Sequence, residues 1–263
     1  MTIKVNSHFG LSNNTIKIIA AIAMLCDHIG AAAYEVCIQF GIPLSSFLGA
    51  EQVYTVLRCI GRISMPLFAF LIAEGCRYTH DRKRYFFGIF LLGLICDITF
   101  YVAFNQIYFC ILTTFSAGIL IIYAYDGVVK SFKERDAYRL YNVIKLVAAI
   151  SFPLFLQVFT ANLHGSFDYG IFGAMLPLAA YVIKNRWLRL IPFTLFLAGM
   201  CLYYFLTKNN SHYWYSMFAV PILALYNGER GKLNLKNFFY LFYPIHLVVV
   251  YGIFYAIAYF IVT

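Results

Sequence analysis

Charge is what this sequence has least of. Asp, Glu, Lys and Arg make up 12% of its 263 residues and apolar types 62%, whereas a soluble domain carries about 25% and about 45–50%. That excludes a water-soluble globular domain and points to a chain whose solvent is largely lipid. The seven cysteines all fall inside apolar stretches and none forms a C-x-x-C pair, so no disulfide framework or zinc site is expected. No H-E-x-x-H, phosphate-binding P-loop or G-x-G-x-x-G occurs, and no metal is expected. Neither a 20–50-residue repeat nor a low-complexity segment is present. The net charge of +9 does not imply nucleic acid, because the basic residues sit in short loops between apolar runs, where they set membrane orientation.

What the chain does have is apolar runs of membrane-crossing length, about 20 residues for a ~30 Å hydrocarbon core. Nine spans are expected, at about 15–38, 53–76, 85–104, 107–125, 141–160, 170–183, 190–206, 214–226 and 238–262, the sixth and eighth short. Residues 1–14 read as a polar leader, with Ser12 or Asn13 capping the first helix. That helix reads as an uncleaved span rather than a signal peptide. Of the 20 Lys and Arg, Arg58 and Arg62 lie within a span and Lys208 alone falls on the second side. All the others fall on the first side, which is therefore read as cytoplasmic. The fold class is an all-α polytopic membrane bundle forming one domain over 1–263, with its N-terminus cytoplasmic and its C-terminus outside.

Span one places Asp27 and His28 side by side among Ala20, Ala21, Ala23, Gly30, Ala31, Ala32 and Ala33. A carboxylate at mid-bilayer costs roughly 2.5–3.5 kcal/mol and faces protein or water, and small residues let neighbouring helices approach. The first span therefore reads as a buried central helix presenting a titratable pair. Arg58 and Arg62, four apart, share a face of span two, and two buried guanidinium groups need anions. Asp27 and Asp97 are the internal candidates. Adjacent positions on a helix do not face each other, so Asp27 is expected to pair with an arginine rather than with His28. One reading is a charge network that fixes helix register. The preferred reading is a positive site for an anionic or oxyanion-bearing ligand with His28 as proton acceptor, because apolar residues would serve packing better. His246, alone in span nine, reads first as a hydrogen-bonded core histidine. His8, His80, His164 and His212 read as loop residues.

Five stretches then carry a resemblance: IKIIAAIAMLCDHIG from Ile16 to Gly30, LRCIGRISMPLFAFLIAEGCRYTHDRKRY from Leu57 to Tyr85, DYGIFG from Asp168 to Gly173, ALYNGERGK from Ala224 to Lys232, and FFYLFYPIHL from Phe238 to Leu247. In this order they resemble the TraX-like membrane acetyltransferases, which include a conjugation-plasmid protein that N-acetylates pilin. The likeness is loose over Ile95–Phe104 and weakest over Val128–Thr160. It implies a bacterial cytoplasmic-membrane enzyme that takes acetyl-CoA as co-substrate and acetylates an amine or hydroxyl of an envelope peptide or glycan. His28 would be the base or a transient acetyl carrier, with Asp27, Arg58 and Arg62 completing the catalytic group. Arg77, Arg82, Lys83, Arg84, Asn227, Arg230 and Lys232 would meet the CoA, although the loop cations also suit topology alone. Glu74, Asp97, Asp168, Tyr169, Tyr243 and His246 would support the acceptor side, with Asp168 holding a cationic amine or simply capping the helix that follows. A multi-span transporter with an Asp/Arg/His relay and a non-catalytic membrane assembly subunit are the rivals. The absence of internal symmetry weighs against the transporter.

Overall fold

The computed structural model describes residues 10–49, 51–233 and 235–262; Lys4 and His8, and most of the expected leader, lie outside them. The chain is 79% helical, and among the described residues the two strands are two residues each, β1 (Tyr108–Phe109) and β2 (Ser166–Phe167), so the fold is all-α. The helices are α1 (Asn13–Phe40), α2 (Ser45–Leu48), α3 (Glu51–Gly61), α4 (Ser64–Tyr78), α5 (Arg82–Phe104), α6 (Ile111–Lys133), α7 (Arg139–Asn162), α8 (Gly170–Tyr181), α9 (Leu190–Lys208), α10 (Ala219–Ala224) and α11 (Lys236–Val262). Among the described residues, seven helices are long and apolar enough to cross a membrane, α3 and α4 counting as one from Glu51 to Tyr78. They leave rows of large apolar side chains uncovered, such as Val102, Phe155, Leu195 and Phe260, which suits lipid and not water.

Of the two spans expected to be short, the sixth is in place and the eighth is not a single helix. The sixth is α8, only 12 residues long. The eighth is not one helix: an eight-residue 3-10 helix, Ser211–Phe218, hands over to the short α10. The stretch SHYWYSMF is dominated by aromatic and Ser residues of middling helix propensity, and Asn210 caps it by accepting the His212 N–H at 3.0 Å.

The chain forms two compact units. The first comprises residues 1–68 and 197–263, with α1 packed against α3 and α11. Ile16, Ala20, Ala32, Ala33 and Val36 of α1 are fully enclosed, as its small-residue composition leads one to expect. Lys17 lies 6.0 Å from the Phe239 ring, His28 meets His246, Glu35 meets Tyr251 and Gln39 meets Tyr255. These contacts advance together, so α1 and α11 run parallel. The start of α1 is closed by the loop after α10. Asn13 and Asn14 donate their backbone N–H groups to the carbonyls of Glu229 and Arg230 at 2.8 and 3.2 Å. Asn14 Nδ2 reaches Leu233 O at 2.7 Å, and Ser12 Oγ accepts from Thr15 N at 3.2 Å. The first N–H groups of a helix have no partner inside it; ALYNGERGK supplies them. Gly231, at φ +87°, lets this loop pass close to the start of α1, where an added Cβ would sit 2.9 Å from both Ser12 Oγ and Asn14 Nδ2.

The second unit, residues 69–196, is built round α6, which packs on α5, α7 and α8. Gly118 brings α6 against α8, where an added Cβ would sit 2.7 Å from Ala174 O. The strands β1 and β2 pair in parallel and tie the loop before α6 to the loop before α8. α1 is thus the centre of one unit and α6 of the other.

Candidate functional site

Three elements of the first unit assemble the site. Pro66 has no N–H to offer the Arg62 carbonyl and crowds it, and the helix breaks at Arg62–Ile63 between α3 and α4. Arg58 and Arg62 nevertheless both face α1. Arg58 Nη1 lies 2.8 Å from Asp27 Oδ2 and 3.2 Å from the Asp27 carbonyl. Arg62 Nη2 lies 4.0 Å from Asp27 Oδ1, and its guanidinium carbon is 4.8 Å from the Tyr213 ring centre. The approach depends on two glycines. The Arg58 chain crosses Gly30, 3.2 Å from where a Cβ would stand, and a Cβ on Gly61 would overlap the Asp27 side chain, 2.6 Å from its Cγ. The expected Asp27–arginine pairing is present.

His28 points elsewhere, as adjacent helix positions must. Its Nδ1 is 2.6 Å from His246 Nε2. His246 Nδ1 is 2.7 Å from the Phe242 carbonyl, its ring stacks on Phe242 and meets Tyr243 edge-on, and it is 5% exposed. A carbonyl oxygen only accepts, so His246 Nδ1 carries the proton, and in the neutral ring Nε2 is then the acceptor. His28 Nδ1–H must donate to it. That leaves His28 Nε2 as a lone pair with no hydrogen-bond partner among the described residues. Fixing one ring nitrogen by the bond of the other is how a histidine base is oriented. Farther along the α1–α11 seam, Tyr251 Oη donates to Glu35 Oε2 at 2.7 Å, and Tyr255 Oη to Gln39 Oε1.

Sequence reasoning missed the histidine pair, whose members lie 218 residues apart, and it missed Glu35. A signal for Glu35 existed: it follows His28 by seven residues, two helical turns, and shares its face.

The remaining candidates in the first unit lie in the loop over the start of α1. Asn227 Oδ1 accepts Glu229 N at 2.9 Å and shapes the turn. The side chains of Arg230 and Lys232 are exposed.

In the second unit the candidates have other partners. Asp97, expected as an anion for the arginines, instead accepts from Cys110 N at 2.7 Å and Thr113 Oγ1 at 2.6 Å. It closes the N-terminus of α6, where a carboxylate is favoured. Glu74 pairs with Arg189, both buried, and lies 3.7 Å from Arg77 Nε; Arg189 is in the turn before α9 but is buried rather than solvated. Arg77 Nη2 donates to the carbonyls of Tyr181 and Ile183 at 2.9 and 3.3 Å, neutralising the C-terminal end of α8. Arg82 binds Asp126 at 2.5 Å. Lys83 and Arg84 are exposed at the start of α5. Asp168 does not cap α8. Gln157 Oε1 accepts Ile171 N at 2.9 Å, while the Asp168 carbonyl takes Thr114 Oγ1 at 2.7 Å. Tyr169 and Gly170 are both left-handed, at φ 55° and 51°, and Gly173 admits Thr114 and Tyr169 at 2.8 Å from its missing Cβ, which accounts for the DYGIFG pattern.

Comparison with known proteins finds a protein of Dichelobacter nodosus, described as probable fimbrial assembly protein FimC, serogroup H1, that is 23% identical over 244 residues, 88% of this chain and 91% of the relative. No solved structure matches. The TraX protein family matches residues 12–254. Because that match runs from the cap of α1 to the helix bearing His246 and takes in Asp27, His28, Arg58 and Arg62, the chain belongs to the TraX family.

Proposed function

We infer that the protein is a membrane-embedded acetyltransferase that moves an acetyl group from acetyl-CoA to an amine or hydroxyl of an envelope acceptor, in the cytoplasmic membrane of a bacterium. The observation that carries this reading is the unpartnered Nε2 of His28, held by the chain His28–His246–Phe242 carbonyl. His28 Nε2 takes the proton from the acceptor as its nitrogen or oxygen bonds to the thioester carbonyl carbon. As His28 becomes cationic, its Nδ1–H bond to His246 strengthens. His28 then returns the proton to the sulfur as the C–S bond breaks. A positioned base contributes about 10²–10⁴-fold. Arg62 lies on the same side of α1 as Asp27 and offers positive charge where the carbonyl oxygen becomes negative; Arg58 holds Asp27 and supports that placement.

The phosphates of acetyl-CoA are assigned to Arg230 and Lys232, exposed cations in the loop that closes the start of α1. Residue 14, which that loop holds, is ~21 Å from His28 at 1.5 Å per residue, so an extended acyl arm must bridge that distance. The acceptor class follows the relative named for fimbrial assembly: a fimbrial or pilin-like peptide amine, with an envelope glycan as the alternative substrate. The acceptor side is assigned to the α1–α11 seam beyond His28.

The test uses purified protein in nanodiscs with acetyl-CoA, following CoA release and acetyl label. Thiol release by wild type that vanishes in His28→Ala, with both proteins folded, supports the reading. Folded protein that neither binds nor cleaves acetyl-CoA sinks it and favours the transport alternative.

A further inference from the structure

The eighth expected span failed to become one helix, and its 3-10 segment packs on α3, which carries Arg58 and ends just before Arg62. Eight residues is long for a 3-10 helix, which rarely exceeds three or four. Tyr213 within it is held on several sides: the Arg62 guanidinium lies 4.8 Å from its ring centre, Tyr204 stacks on it at 4.1 Å, and the Cys201 thiol donates to its carbonyl at 3.1 Å. Ser216 follows Tyr213 by one 3-10 turn, and side chains three apart eclipse in such a helix. It therefore shares the Tyr213 face.

Ser216 is 0% exposed, and its Oγ has no hydrogen-bond partner among the described residues. Other hydroxyls in the helices return to the carbonyl of the preceding turn: Thr99, Ser116, Ser131, Thr160 and Thr207 all do so. For Ser216 the carbonyl three residues back is that of Tyr213, already engaged by Cys201. Asp27 Oδ1, 4.0 Å from Arg62 Nη2, is also buried without a hydrogen bond. A buried hydroxyl without a partner costs stability, and each such group calls for an explanation such as a ligand.

We propose that Ser216 Oγ donates a hydrogen bond to a carbonyl oxygen of the acyl donor, on the face of the 3-10 segment it shares with Tyr213. This rests on the acetyl-transfer reading and adds a binding group to it. Two carbonyls have the right chemistry: that of the thioester and those of the amides in the pantetheine arm.

The experiment compares wild type with Ser216→Ala in nanodiscs by thermal melting, acetyl-CoA turnover and equilibrium binding of CoA, which carries the amides without the thioester. Alanine removes an unpaired hydroxyl, so the melting temperature stays level or rises. If the partner is the thioester carbonyl, kcat falls about 10²–10³-fold, as for loss of one oxyanion donor, and CoA affinity holds. If it is an amide carbonyl, CoA affinity weakens about tenfold, the worth of roughly one hydrogen bond. Wild-type turnover and affinity in Ser216→Ala overturn the proposal while His28-dependent turnover keeps the parent reading. A lowered melting temperature with parallel loss of activity also overturns it, by making Ser216 structural. Wild type that does not cleave acetyl-CoA brings down both.

Discussion

Gly61→Ala separates local propensity from tertiary packing by sign. Gly61 is the last residue of α3, and helix propensity by itself favours Ala over Gly by up to ~1 kcal/mol. The structure demands the opposite result. A Cβ there would lie 2.6 Å from Asp27 Cγ, a separation no non-bonded carbons adopt. Either α1 and α3 move apart or the Asp27 carboxylate swings away from Arg58. The first is overpacking, at about 1–3 kcal/mol. The second strands a guanidinium whose side chain is only 20% exposed; breaking a fully buried pair costs about 3–5 kcal/mol, and the residual exposure lowers that. The cheaper route sets the cost, so after subtracting the propensity gain the net destabilisation is about 1–2 kcal/mol. The assay is denaturant or thermal unfolding in micelles. The control is Gly199→Ala on α9, where an added Cβ meets nothing within 4 Å; it should be neutral or slightly stabilising. Gly61→Ala at or above wild-type stability would refute the close approach of α3 to Asp27, and with it the geometry of the site.

Glu74→Ala leaves Arg189 buried without its carboxylate and should cost about 3–5 kcal/mol, whereas Glu74→Met with Arg189→Met should fold nearly as well as wild type; unfolding of the single and double variants checks this. Asp97→Ala removes both side-chain acceptors at the N-terminus of α6 and should cost about 2–3 kcal/mol, with amide exchange rising first at Cys110 if the capping role is right. His246→Ala frees the His28 ring to rotate and change tautomer, so acetyl transfer should fall by about 10²-fold or more with little change in CoA affinity; an unaltered kcat would remove His246 from the mechanism. Tyr251→Phe deletes the hydrogen bond that Tyr251 donates to Glu35, and on the proposed acceptor side it should raise KM for the acceptor and leave KM for acetyl-CoA alone.

Much was legible in the residues themselves. Low charge and long apolar runs determine an all-α membrane chain, because lipid offers no partner for unpaired backbone groups. Ser12, Asp81 and Gly41 cap as their types suggest, since a cap acts within one turn. The Asp27–Arg58 pair followed from charge balance in a medium where no ion stays unpartnered. Other features depended on which helices lie side by side. Asp97 and Asp27 looked equivalent as anions, and only packing gave one to an arginine and the other to the start of α6. His28 and His246, and Glu35 and Tyr251, are separated by more than two hundred residues, and helical periodicity reaches four or so. The interruption in 211–224 was hidden because its composition is apolar enough for a span, while the packing of Tyr213 on Arg62 favours the tighter 3-10 path. Sequence determines a helix's length, ends and faces through short-range bonds; the partner that each polar face meets is chosen by helix packing, which is a property of the whole chain.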